Sequence, residues 1–162
     1  MPTKPVINVE EVTLAERSHG DHFQVKLARV GPHIGLKKLG CSLHVVPPGK
    51  RAWPRHAHHE SDEIFYILSG TGEYRFGPES FPIRAGDLLG APAGKTAHQI
   101  ANTGECDLKY LAISTIGSFD VVEYPDSGKF GVCAGMQNAD FTTATFLHMG
   151  RTGAPLDYWE GE

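Results

Sequence analysis

The sequence predicts an all-β sandwich or barrel. Short runs of alternating apolar and polar residues recur at ~8–12 residue spacings, each closed by Gly, Pro or Asn, as in sandwiches and barrels. Gly 19 and Pro 11 in 162 residues exceed average usage and favour tight turns over long helices. No segment longer than about ten residues sustains the period of an amphipathic helix.

The elements follow in order. Residues 1–5 are Pro-rich and polar and read as a loose arm. Val6–Leu14 (VINVEEVTL) is rich in β-branched residues and reads as an edge strand. In Phe23–Val30, the residues Phe23, Val25 and Leu27 alternate with Gln24, Lys26 and Ala28. Leu39, Cys41, Leu43 and Val45 alternate in the same way until Pro47-Pro48-Gly49 ends the strand. Ile64–Leu68 is an apolar strand, and Gly70-Thr71-Gly72 turns it into Glu73–Phe76. Gly77-Pro78 leads to Ser80–Arg84, and Ala85-Gly86-Asp87 to Leu88–Ala91. Further strands are expected at His98–Ala101, Leu108–Thr115 and Val121–Tyr124. Residues 125–162 form the least regular part, with a turn at Asp126–Lys129 and a stretch Phe141–Met149 that fits no pattern.

A chain of this length reads as one domain, 1–162. A net charge of −4 and pI near 6.1 argue against nucleic acid and against an anionic membrane surface. No apolar run reaches the ~18 residues of a membrane span, and the N-terminus lacks an apolar leader core. Cys41, Cys106 and Cys133 are an odd, scattered set without C-x-x-C. Reduced thiols and a cytoplasmic location are expected.

The chemistry concentrates in Gly49–Gly70, which holds His56, His58, His59, Glu60, Asp62 and Glu63 ahead of a buried strand. Polar groups sent towards a core need partners, and a metal ion is the simplest one. His56 and His58 are two apart, so on a strand both project to one face. Glu63 opens the next apolar strand, and His98 follows the Pro92-Ala93-Gly94 turn. Imidazole and carboxylate suit one divalent Mn, Fe, Co, Ni or Zn ion. Four protein ligands would leave two positions of a six-coordinate ion open to substrate.

Gly49…His56-Ala57-His58…Glu63…Gly70 resembles the first cupin motif, and Gly86…Pro92-Ala93-Gly94…His98…Asn102 resembles the second. The resemblance implies a double-stranded β-helix (jelly-roll) barrel, often homodimeric. Its core would lie at roughly 36–116, with N-terminal strands in 6–30 and a C-terminal extension over 117–162. It also implies that His56, His58, Glu63 and His98 bind the metal inside the barrel. Two spacings depart from the pattern: six residues rather than five separate Gly49 from His56, and three rather than two separate Gly94 from His98. Both lengthen loops ahead of ligands. The tail, with Tyr124–Lys129 and Asp157–Glu162, is similar to uncharacterised single-domain cupins, some provisionally called sugar-phosphate isomerases.

His59, Glu60 and Asp62 read as solvated turn residues. His44 shares parity with Ser42 and is a candidate cavity residue; His19, His22, His33 and His148 have no partners in register. Phe65 and Ile67 should wall the site while Tyr66 faces away. Trp53 and Trp159 read as packing or interface residues. Arg51, Arg55, Arg84 and Lys95 lie in loops near the motifs and are candidates to hold an anionic small-molecule substrate. Three functions are expected to compete: an isomerase of a small sugar or sugar phosphate, with Glu63 or His44 as base; an Fe or Mn dioxygenase; and a non-catalytic binding or sensing domain.

Overall fold

The long apolar run Leu108–Thr115 forms β10, the strand around which the largest sheet of the computed structural model is built. It pairs on one side with β3 (Leu39–Val46) and on the other with β5 (Glu63–Ser69), both antiparallel. With a neighbour on each edge its backbone groups are satisfied, and Leu108 and Tyr110 are free to bury their side chains. The structure describes residues 4–136, 143–151 and 153–162.

The other strands are β1 (Ala15–His19), β2 (Phe23–Arg29), β4 (Ala57–His58), β6 (Thr71–Phe76), β7 (Glu79–Arg84), β8 (Leu88–Ala91), β9 (His98–Ala101), β11 (Phe119–Tyr124), β12 (Lys129–Ala134) and β13 (Phe146–Arg151). They form one sheet in the order β1-β2-β3-β10-β5-β8, a second ordered β13-β12-β11-β4 and a third ordered β7-β6-β9. Val9–Glu11 and Gly31–Ile34 are short 3-10 turns. This is the expected all-β jelly roll. No described helix is long and apolar enough to cross a membrane.

The expected edge strand at Val6–Leu14 is not formed. Asn8 Oδ1 accepts from Glu10 N at 3.0 Å and caps the 3-10 turn Val9–Glu11. A side-chain cap of this kind offers the backbone an alternative to a ladder. The edge strand falls instead at β1, whose sequence AERSH carries almost no apolar signal and is exposed throughout. Its register, from Ala15 opposite Leu27 to His19 opposite Phe23, is supplied by β2.

The C-terminal third is more regular than its sequence suggests. β11, β12 and β13 form an antiparallel meander, and β11 also pairs with β4 through Val122–His58 and Glu123–Ala57. Phe141 and Thr142, part of the stretch that fitted no pattern, lie outside the described residues.

The core joins Val25, Val46, Phe65, Ile67, Ile100, Leu108 and Tyr110. Strand parity buries Phe65 and Ile67 and leaves Tyr66 exposed on the opposite face; of the two expected to wall the site, Phe65 lines the cavity and Ile67 packs in the core. The Gly70 turn between β5 and β6 has φ +87°, and a Cβ there would lie 2.6 Å from Asp107 O. Only glycine meets both conditions without strain.

Candidate metal centre

Three segments converge at the inner end of the barrel. His56 and His98 form an antiparallel bridge, so the first motif lies beside the second by backbone pairing. Gly94, at φ +138°, turns its N–H towards His58 O at 2.7 Å and ties the Pro92–Gly94 turn to β4. Glu63 enters from β5 across the cavity.

Ligand atoms of His56, Glu63 and His98 lie within 4.8 Å of one another. His98 Nε2 is 3.1 Å from Glu63 Oε2, and His56 Nε2 is 3.9 Å from it. His58 stands at the edge of this group with Nε2 3.5 Å from the same oxygen. His56 Nδ1 faces Pro54 O at 2.7 Å. A carbonyl can only accept, so this nitrogen donates and Nε2 keeps its lone pair for the centre. His58 Nδ1 faces Asp120 Oδ2 at 2.6 Å, with the same consequence.

Glu63 Oε2 and His98 Nε2 are buried without a hydrogen-bond partner, close as they are. Buried polar atoms are rarely left so, and an ion is one of the few explanations. The donor set fits that explanation: nitrogen and carboxylate oxygen suit a divalent first-row ion.

Burial and the neighbouring imidazoles of His98 and His58 lower the His56 pKa to about 4. Burial also pulls on His58, but the bond to Asp120 and the charge of Glu63 outweigh it and hold its pKa above the usual value. Burial alone would raise Glu63, yet the three imidazoles, His98 foremost, keep its carboxyl below the ordinary range.

The cavity above these residues has a volume of about 420 Å³ and includes Leu27, His44, Trp53, Phe65 and Tyr110 in its wall. That size matches small-molecule sites. His44 stacks on Tyr110, with centroids 5.0 Å apart and planes 3° from parallel. Its Nε2 accepts from the Trp53 indole at 3.2 Å, and burial lowers its pKa to about 4.

The four basic residues picked out from the sequence lie elsewhere. None of Arg51, Arg55, Arg84 and Lys95 lines the cavity, whose wall includes Arg17 and Arg29 instead. Arg55 bonds to Gly77 O and Asp126, while Arg84 and Lys95 are exposed. Asp62 is more than a solvated turn residue: its Oδ1 accepts from Ala93 N at 2.8 Å. His59 pairs with Glu123 at 2.6 Å, away from the centre. Sequence reasoning missed Asp120 and the Trp53–His44 bond, because each depends on partners brought together by folding.

The family model described as Cupin domain matches residues 42–114. Residues 42–114 are a cupin domain. Among curated proteins, the Oxalate-binding protein of Thermotoga maritima is 40% identical over 68 residues, covering 42% of this chain and 54% of that protein. The chain spans 50–60% of the length of the first three curated relatives it matches. Among solved structures, a protein from Acidithiobacillus ferrooxidans provisionally named a sugar phosphate isomerase is 26% identical. It superposes with TM-score 0.76 over 91% of this chain and 92% of that one. A cupin-superfamily sugar phosphate isomerase from Silicibacter pomeroyi gives TM-score 0.77 at 20% identity over 95% and 98% of the two chains. At that identity the likeness concerns the fold alone.

Proposed function

We propose that this cupin is a metal-dependent isomerase of a small sugar or sugar phosphate, with His56, His58, Glu63 and His98 holding one divalent Mn, Fe, Ni, Co or Zn ion. The observation that carries the reading is the buried, unpartnered pair Glu63 Oε2 and His98 Nε2. They lie beside two imidazoles whose Nδ1 atoms are already committed. The likeness to the Acidithiobacillus ferrooxidans protein supports the substrate class.

When bound, the ion supplies a Lewis acid that polarises a carbonyl and acidifies the neighbouring C–H. The chain's own residues do the rest. Phe65 and Tyr110 wall the cavity and restrict water around the charged groups. His44 accepts from Trp53 through Nε2, so the proton of its neutral ring sits on Nδ1 and its lone pair is engaged. Glu63 is therefore the better base for the substrate proton. Arg17 and Arg29, at the wall, supply positive charge for a phosphate.

The test is incubation of metal-loaded protein with sugar phosphates in deuterated water. Label entering a substrate C–H position supports the isomerase. No label across a panel removes it, and oxygen uptake by the iron-loaded form would assign a dioxygenase instead.

A second reading is a carboxylate-binding domain without turnover, supported by the identity to the Oxalate-binding protein. It predicts that oxalate raises the melting temperature in step with its concentration, with no product formed. For either reading we propose a single domain working in the cytoplasm as a homodimer, which would shield the exposed edge strand β1.

A further inference from the structure

Asp120 lies beyond the segment matched by the cupin family model, on the strand β11. It is 2% exposed, and both carboxylate oxygens are used. Oδ2 sits 2.6 Å from His58 Nδ1, and Oδ1 accepts the backbone N–H of Glu60 at 3.2 Å. The second contact fixes the plane of the carboxylate. The first then fixes both the tautomer and the direction of the imidazole.

Backbone contacts fix where His58 sits: its carbonyl accepts from Gly94 N at 2.7 Å, and its strand pairs with β11 at Val122. They do not fix the ring, which reaches towards Glu63 Oε2 through Nε2 at 3.5 Å. Without a partner at Nδ1, its ring is free to place the proton on either nitrogen.

We propose that Asp120 is a positioning residue that holds His58 with Nε2 unprotonated and turned towards Glu63, so that the C-terminal meander completes the metal centre. This rests on the metal reading above. A carboxylate behind a ligating histidine raises ligand basicity and fixes ring orientation.

Asp120→Asn tests it sharply. The Glu60 N–H still requires an oxygen at the Oδ1 position, which leaves the new amide NH₂ facing His58 Nδ1. The ring must then accept at Nδ1 and carry its proton on Nε2, the wrong tautomer for ligation. The fold keeps its Glu60 contact.

The measurement is Zn²⁺ and Mn²⁺ affinity by competition with a chelator, together with ¹⁵N-histidine spectra of the metal-free protein. Wild type should show an Nδ1–H tautomer for the neutral His58 ring. Asp120→Asn should show Nε2–H and bind metal about 10- to 100-fold more weakly. A role in folding alone would lower the melting temperature while leaving the tautomer and the affinity of the folded protein unchanged; that result overturns the proposal. Asp120→Ala, which leaves Nδ1 to water, should fall between wild type and Asp120→Asn in affinity. Unchanged metal affinity in Asp120→Asn, beside clear loss in His98→Ala, sinks the role of Asp120 and spares the metal reading. No metal uptake by wild type sinks both.

Discussion

His56 and His98 exchange both backbone hydrogen bonds, His56 N to His98 O at 3.1 Å and His98 N to His56 O at 2.8 Å. Their imidazole centroids lie 4.5 Å apart. Two side chains separated by a long stretch of sequence are thereby fixed in register on one face. Removing one imidazole leaves this backbone bridge in place, so the effect on metal can be separated from the effect on fold. His98→Ala should retain its strand content while metal content falls from near one ion per chain to a small fraction, read by elemental analysis after dialysis. Undiminished metal in this variant would contradict the proposed centre.

Metal affinity should fall on acidification, because an imidazole must be neutral to ligate. His58 is held above its ordinary pKa, so in the metal-free protein it takes up its proton at a higher pH than His56, which is lowered to about 4. Affinity should therefore rise from pH 5 to pH 8, with protonation of His58 contributing to the loss on acidification. Equal occupancy at the two pH values under limiting metal would refute this.

His44 supplies a separate pH dependence of folding. Its pKa is about 4 in the fold and ~6.5 in the unfolded chain. Between these values the unfolded chain binds the extra proton, so its contribution to stability is lost as pH falls from 6.5 towards 4. From pH 7 to pH 5 the loss is about 2 kcal/mol. His44→Gln keeps an acceptor for the Trp53 indole but has no proton to gain. Denaturant titrations of the metal-free proteins should show a shallower decline for the variant by that amount, and parallel declines would count against buried, neutral His44.

Gly70→Ala should destabilise by roughly 1–3 kcal/mol. Both its positive φ and the 2.6 Å approach of a Cβ to Asp107 O oppose the change. Gly128 has φ +60° but open space around it, so Gly128→Ala meets only the backbone cost of about 1–2 kcal/mol. Thermal melts of the two variants separate the steric cost from the conformational one; equal costs would show that the close approach relaxes.

The middle of the chain was legible because its strands alternate cleanly and Gly or Pro marks their ends. β3, β8, β9 and β10 fall at the bounds the pattern predicts. Each of these strands buries at least one residue, and burial is what writes alternation into a sequence. β1 and β13 bury nothing completely, so they left no such trace. The meander strand β12 is interrupted by Gly131, whose Cβ would meet Met149 Sδ at 2.7 Å; that close approach is a pairing requirement invisible in one strand alone. Spacing brought His56, His58, Glu63 and His98 into view together. Asp120 stood 62 positions from His58, with no local pattern to distinguish it from a solvated turn aspartate. Arg51, Arg55, Arg84 and Lys95 lie near the motifs in sequence, but nearness in sequence says little about which face of a sheet a side chain takes.

The pairing of β11 with β4 sets an order of events during synthesis. His58 leaves the ribosome long before Asp120 does. At roughly 5–20 residues per second, the imidazole waits some seconds for the carboxylate that faces its Nδ1. Until β11 has been made, a nascent chain carries the histidines and Glu63 without the strand that pairs with β4. Maturation of the site is thus timed by a strand made after every proposed ligand.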